Sequence, residues 1–228
     1  MSKFLVFGYQ DKNSHEGCSF QELGNLTLPS KIDYCKTHGY DFYLQETDFD
    51  YSKKIAWARI KIIIEKIKEN KWDWILYLDA DTMICNHTIR LENLVDDNYD
   101  IIISRNFAKQ EYEINCGVML IKCSEWSLKF FENLYTKSEF YNHDWAEQAA
   151  IMDELEKKEE IRNHFKFVHN RYFNSYAHKW YPEDNFQIGD FICHAAGSSN
   201  EFRYKLFSEL NNKIIKVANL EIKTEFFV

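Results

Sequence analysis

A chain of 228 residues, 45% hydrophobic, with only seven Gly, two Pro and no low-complexity run, is long enough to bury a sizeable core and too poor in linker residues to read as disordered. Its formal charge of −8, from 36 acidic against 28 scattered basic side chains, argues against a nucleic-acid partner held through phosphate contacts. The six cysteines, Cys18, Cys35, Cys85, Cys116, Cys123 and Cys193, form no C-x-x-C pair and no zinc spacing; with neither a signal peptide nor a ~20-residue apolar span in view, they read as reduced core residues of a cytoplasmic protein.

Phe4-Leu5-Val6-Phe7 is a short buried strand turned by Gly8-Tyr9-Gln10. This start leaves the backbone near Gly8 free to approach a base or ribose, although no G-x-G-x-x-G follows. Residues 28–37 carry a helical pattern ended by His38-Gly39-Tyr40, and residues 41–44 make a second strand. Over residues 55–70 the stripe Ile60, Ile63, Ile64 and Ile67 marks a helix facing the core. Trp57, Arg59 and Lys61 lie near its amino-terminal end, where cations are unfavourable unless an anion is bound, so the cluster reads either as a solvated basic face or as a phosphate or sugar contact.

Residues 74–78 have the length, aromatic content and β-branching of a buried strand, and they deliver Asp79-Ala80-Asp81-Thr82 to a sheet edge, where open α/β sheets bind ligands. In extended chain residues i and i+2 point the same way, so the two carboxylates could serve one Mg²⁺ or Mn²⁺ that bridges to a diphosphate. The plainer alternative is a solvated turn. A helical stretch near 89–95 and strands at 99–104 and 114–121 follow, the last interrupted by Asn115 and Gly117. A strand-interior Gly marks either close approach of a ligand or backbone, or a bulge.

Ser124 is placed to cap a helix carrying Trp126, Phe130, Phe131 and Leu134. Asp144 would cap the next, 145–157, whose first turn brings Asp144, Glu147 and Gln148 together. Residues 170–176 read as an aromatic loop over a site. Residues 190–194 form a strand ending in His194, either a satisfied core residue or a third ligand suited to Mn²⁺ beside two carboxylates. A helix over 201–211 and an apolar tail ending Glu225-Phe226-Phe227-Val228 complete the chain; the tail docks on the body or touches a membrane surface or partner. The 17% aromatic content serves equally for a core or for stacking sugars and bases.

The strings Trp57-Ala58-Arg59-Ile60-Lys61, Trp74 to Thr82, Ile114 to Ile121, Glu147-Gln148-Ala149-Ala150 and His194-Ala195-Ala196-Gly197 occur in the order seen in retaining, metal-dependent glycosyltransferases. The chain resembles the galactosyl, mannosyl and xylosyl transferase family of fungal Golgi mannan enzymes and plant xyloglucan xylosyltransferases, with motifs shared by glycogenin-like and lipooligosaccharide galactosyltransferases. Asn25, Lys31, Tyr34 and His38-Gly39-Tyr40 fit the first group better. Each motif alone is weak, and five in order are specific.

The resemblance implies a type A glycosyltransferase fold, a single α/β domain over 1–228 with a Rossmann-like mixed central sheet flanked by helices. Residues 1–105 would mainly bind the nucleotide sugar, 106–200 mainly serve acceptor and catalysis, and 201–228 supply a C-terminal helix and tail. It makes Asp79, Asp81 and His194 the ligands of Mn²⁺ or Mg²⁺, and Phe7, Gly8 and Tyr9 the lining of the nucleoside. Trp57, Arg59, Leu78, Ala80, Asn115 and Gly117 would complete the donor site, Gly197 would let the backbone approach the β-phosphate, and Asp144, Glu147 and Gln148 would form the catalytic group. The implied reaction moves a hexosyl or pentosyl unit, with retention by same-face attack, from a nucleotide-diphosphate sugar, first of all a UDP-sugar, to a hydroxyl of a glycan, lipid-linked or protein acceptor.

Two departures stand out. Glu147 replaces the usual Asp, and Ser198-Ser199-Asn200 stand where a Lys commonly follows the His-x-x-Gly turn, leaving Arg203 or Lys205 to substitute. Eukaryotic members carry a membrane anchor that is not seen here, which again favours a cytoplasmic form. Two other classes remain: a haloacid-dehalogenase-type phosphohydrolase, whose Thr should come two residues past the second Asp whereas Thr82 follows Asp81 directly, and a non-catalytic glycan-binding module.

Overall fold

The computed structural model describes residues 2–12, 20–105, 113–177 and 185–217. In its first half strands and helices alternate: β1 (Phe4–Tyr9), α1 (Phe20–His38), β2 (Asp41–Gln45), α2 (Ala58–Lys68) and β3 (Trp74–Leu78). Then come β4 (Thr82–Ile84), β5 (Ile101–Arg105), β6 (Ile114–Lys122), α3 (Glu125–Tyr135), α4 (Ala146–Lys157), α5 (Glu159–Arg162) and β7 (Phe165–His169). The described chain closes with α6 (Asn170–Phe173), β8 (Ser175–Tyr176), β9 (Ile192–His194) and α7 (Asn200–Leu210).

Six strands make one sheet in the order β2-β1-β3-β6-β5-β7. Only β6 runs against its neighbours β3 and β5; the other pairings are parallel. Successive strand side chains point to opposite faces, and both faces are buried, which explains the near-continuous apolar runs. Leu5, Phe7, Ile75 and Tyr77 pack with Ile60, Ile63 and Ile67 of α2, with Phe130, Phe131 and Leu134 of α3, and with Ala150 and Ile151 of α4. On the other face Phe4, Val6, Trp74, Leu76 and Leu78 meet Tyr34 and Cys35 of α1 together with Phe191 and Ile192. A small second sheet, β4-β9-β8, stands beside the first.

Several elements differ from the sequence expectation for reasons outside the local pattern. β1 continues through Gly8 and Tyr9 instead of turning there, because both residues pair with β2. α1 begins at Phe20 and passes through Pro29; buried Leu23, Gly24 and Thr27 hold the turns that precede the proline. The 55–70 helix opens with a 3₁₀ turn, Ile55–Trp57, and 89–95 holds only the 3₁₀ turn Leu91–Asn93. Ser124 caps α3 as expected, its hydroxyl accepting the Ser127 N–H at 3.0 Å. Asp144 does not cap α4: Trp145 occupies that position, and Asp144 projects into solvent 3.3 Å from Lys54. Residues 170–176 are not a loop but α6 and β8, whose Asn170, Phe173, Ser175 and Tyr176 are buried.

Cys35, Cys85, Cys116 and Cys193 are buried free thiols, with Cys123 partly buried. Cys18 and the tail from 218 onward, with the membrane or partner contact considered for it, lie outside the described residues. Among the described residues no helix is long and apolar enough to cross a membrane.

The face of Gly8 that the sequence left open to a ligand is closed by β3, since a Cβ there would sit 2.8 Å from the carbonyl oxygen of Leu78. Gly8→Ala should therefore force β1 and β3 apart and lower stability by about 1–3 kcal/mol. Urea unfolding checks this, and a variant as stable as the parent would contradict the close fit.

Candidate functional site

The carboxyl ends of β1 and β3 and the start of β6 open into a cavity of about 830 Å³. Asp79 follows β3 directly, its N–H bonded to the Gly117 carbonyl of β6 at 2.8 Å. The chain then turns instead of staying extended: the N–H and hydroxyl of Thr82 reach back to the Asp79 carbonyl at 3.2 and 2.7 Å. Two side chains of α1 pin this turn from beneath, Lys31 Nζ donating to Asp79 O at 2.8 Å and Thr27 Oγ1 to Ala80 O at 2.7 Å. It is this turn, rather than strand alternation, that brings the two carboxylates together.

His194 arrives from the far end of the sequence because β4, starting at Thr82, pairs antiparallel with β9 and sets Thr82 opposite His194. One ligand atom from each of Asp79, Asp81 and His194 lies within 4.8 Å of the others. Gly117 makes that closeness possible, as a Cβ there would stand 2.2 Å from His194 Cε1 and 2.7 Å from Asp79 Oδ2. Of the sequence readings of this stretch the bulge is present, as a register shift where Ile103 pairs with Met119 but Ser104 with Asn115, and what comes close at Gly117 is two side chains instead of a backbone.

Arg59 is buried at the start of α2, where an unpaired cation would be disfavoured. Its Nη2 lies 3.1 Å from Asp79 Oδ1 and its Nε 3.2 Å from Glu147 Oε1, while Nη1 donates to the Cys116 carbonyl at 2.8 Å. The Tyr77 hydroxyl donates to the same Asp79 oxygen. The solvated-face alternative thus fails for Arg59 and holds for Lys61, which is half exposed beside Glu65.

Burial pushes the Glu147 carboxyl up to about 7, with Arg59 opposing. Glu147 Oε2 has no hydrogen-bond partner. The neighbouring Gln148 is engaged already, its Oε1 accepting the Cys116 N–H at 3.1 Å. Burial also works to raise Asp81, but His194 and Arg203 outweigh it and hold that carboxyl below the ordinary range. Arg203 Nη2 is 2.8 Å from Asp81 Oδ2, so of the two candidates for the absent Lys it is Arg203 that faces the cavity, while Lys205 is exposed. Burial lowers Lys31 to about 8 against the pull of Asp79 and Asp81.

Of the residues singled out from the sequence, Tyr9, Arg59, Asp79, Ala80, Asp81, Asn115, Gly117, Asp144, Glu147, Gln148, His194 and Gly197 line the cavity. Phe7, Gly8, Trp57 and Leu78 do not. Phe7 and Leu78 are fully buried in the two cores, and Trp57 packs edge-on against Tyr135 and Tyr141. The sequence reading gave no site role to Asp11, Tyr51 and Trp145, which also line the cavity, or to Asn174, whose Oδ1 is 2.9 Å from His194 Nδ1. Neither the exposure of Trp145 nor the burial of Asn174 has a local signal in the sequence.

Residues 32–202 match the family described as "Protein of unknown function, DUF273". An uncharacterized alpha-1,2-galactosyltransferase of Schizosaccharomyces pombe is 25% identical over 191 residues, 68% of this chain and 55% of the relative. Galactomannan galactosyltransferase 1 of Cyamopsis tetragonoloba is 23% identical over 214 residues, 90% of this chain and 43% of the relative. The chain spans about half the length of these two relatives. Among solved structures, a glycosyltransferase involved in the glycosylation of the major capsid of PBCV-1 superposes with a TM-score of 0.73 at 17% identity, covering 91% of this chain and 99% of that one. The galactosyltransferase LgtC, in complex with donor and acceptor sugar analogs, gives 0.55 at 15% identity, covering 95% and 98%. The fold is that of the type A glycosyltransferases, a mixed central sheet flanked by helices.

Removing the buried cation from between the buried Glu147 and the partly exposed Asp79 should be costly. Arg59→Met is expected to lose about 3–5 kcal/mol of stability in chemical unfolding. The raised Glu147 carboxyl has a signed consequence too: the folded chain keeps a proton that the unfolded chain releases, so this stabilisation is present at low pH and is lost as pH climbs from the ordinary 4.5 through about 7. Glu147→Gln should flatten that part of the stability–pH curve of the metal-free protein, and an unchanged slope would contradict the burial argument.

Proposed function

The chain belongs to the DUF273 family, matched over residues 32–202, and we propose that it is a metal-dependent glycosyltransferase moving a hexosyl or pentosyl unit, with retention, from a UDP-sugar to a hydroxyl of a glycan or glycoconjugate acceptor. The observation that carries this reading is the meeting of two carboxylates and an imidazole, Asp79, Asp81 and His194, on the wall of a cavity large enough for a nucleotide sugar. Oxygen and imidazole donors at this spacing fit Mn²⁺ or Mg²⁺. Such an ion, when bound, neutralises charge developing on the diphosphate leaving group.

The chain's own groups supply the rest of the electrostatics. Arg203 offers a second cation to the diphosphate from the cavity wall, in the role left open by Ser198-Ser199-Asn200. Gly197, with φ of 63°, presents bare backbone beside it. Tyr9 stays in the nucleoside role suggested by the sequence, joined by Asp11, whereas Phe7 and Gly8 are withdrawn from it. Within the catalytic pair, Gln148 spends its carbonyl oxygen on the Cys116 N–H, so Glu147 Oε2 is the oxygen free to take a sugar hydroxyl or to stabilise positive charge on the ring. Tyr51 and Trp145, 54% and 51% exposed on the same cavity, present aromatic faces on which an acceptor sugar can stack. We place the nucleoside groups, the two carboxylates and Arg59 in the half before residue 105 and the catalytic pair after it, as the sequence suggested, with Tyr51 on the acceptor side and His194, Gly197 and Arg203 on the donor side as exceptions.

A screen of nucleotide sugars with Mn²⁺ tests the reading. Metal-dependent release of UDP is expected, and Asp81→Ala should abolish it while the circular dichroism stays native. Normal turnover by that variant would mean the ligands are misassigned. NMR of the first product from an α-linked donor should show an α-linkage; a β-linked product would overturn retention.

A further inference from the structure

His194 faces the Asp79-Ala80-Asp81 turn with Nε2, 3.4 Å from Asp81 Oδ1, and its other nitrogen is held by a chain of amides buried behind it. Asn174, between α6 and β8, is fully buried, with Oδ1 2.9 Å from His194 Nδ1. The nitrogen of the same amide donates to Ser104 Oγ at 2.8 Å and to Asn115 Oδ1 at 3.1 Å. Asn115 Oδ1 also receives the backbone N–H of Gly117 at 2.9 Å.

A backbone N–H can only donate, so the Asn115 atom facing it is the carbonyl oxygen. The Asn174 atom facing that oxygen must in turn be the amide nitrogen, which leaves the Asn174 oxygen against His194. An oxygen there requires the proton on Nδ1, and a neutral ring protonated on Nδ1 keeps its lone pair on Nε2. The orientation of one strand amide in β6 thereby fixes the tautomer of an imidazole in β9.

We infer that Asn174 is a positioning residue that, locked by Asn115 and the Gly117 N–H, holds His194 as the Nδ1–H tautomer and offers Nε2 to a divalent cation. The cation rests on the function proposed above, whereas the tautomer rests on the hydrogen-bond chain, whose 2.9 Å contact at Nδ1 competes with the longer 3.4 Å approach of Nε2 to Asp81 Oδ1. Asn115, which the sequence placed against the donor sugar, spends its oxygen on this lock and has only its amide nitrogen left for the cavity.

Two readouts test the inference without turnover. In ¹⁵N-histidine-labelled, metal-free protein at a pH where the ring is neutral, long-range ¹H–¹⁵N correlation should give His194, assigned by comparison with His194→Gln, the pattern of a proton on Nδ1. Titration of Mn²⁺ followed by electron paramagnetic resonance should show Asn174→Leu binding about 10–100-fold more weakly than the parent. The same variant should populate the Nε2–H tautomer, and Asn115→Asp, which keeps an acceptor for both donors, should retain the parental tautomer. An Nε2–H ring in the parent overturns the inference even if Asn174→Leu fails to fold. Unchanged tautomer and affinity in a folded Asn174→Leu overturn it as well. If the parent binds no Mn²⁺, the metal reading falls by itself and the tautomer spectra still decide this inference.

Discussion

The Arg59 guanidinium, buried between Asp79 and Glu147, is the contact on which the arrangement of the cavity depends. It ties the end of β3 to the start of α4, holds a carbonyl of β6, and lies with Cζ 4.9 Å from the centre of the Tyr77 ring. Three elements, β3, β6 and α4, therefore converge on one planar cation carried by α2. A guanidinium suits this place because its fork of donors addresses several acceptors at fixed angles, while a lysine ammonium would be a single point charge more strongly held by water. Without that charge, the buried Glu147 and the partly exposed Asp79 would be left with no cation between them.

The carboxylates and the imidazole come from different parts of the fold. The large sheet delivers Asp79 at the end of β3, and the small one delivers His194 at the end of β9, with β4 leading from the first to the second. Placement of the three groups is thus a property of strand pairing, whereas the chemistry of the rest of the cavity wall rests with side chains that the architecture does not dictate. Glu147 is one such side chain: its extra methylene relative to Asp leaves one oxygen on Arg59 and the other unpartnered.

What the sequence disclosed follows from how local each signal was. The buried strand 74–78, the isoleucine stripe of α2 and the Ser124 cap were legible because periodicity and capping chemistry act within a few residues. The first turns of α1 and the α6–β8 segment were not, because their burial depends on partners far along the chain. Asp144 satisfied a capping rule on paper, yet the helix starts two residues later and the carboxylate turns to Lys54. Polar residues posed the hardest problem. Lys31 and Asn174 look like surface residues in a string of letters, and only the fold reveals that each spends its hydrogen bonds on the turn or the imidazole.

Gly8 and Gly117 are the same residue put to unlike uses. The first lets two strands lie close, and the second lets an imidazole and a carboxylate meet where any side chain would part them. Position 117 is consequently a place where divergence is read out directly. A descendant that acquired even a methyl group there could keep its strands, its helices and every acidic residue, and still have lost the meeting of His194 with Asp79. In a collection of related chains, the letter at this one position would separate those that keep the site from those that retain only the scaffold.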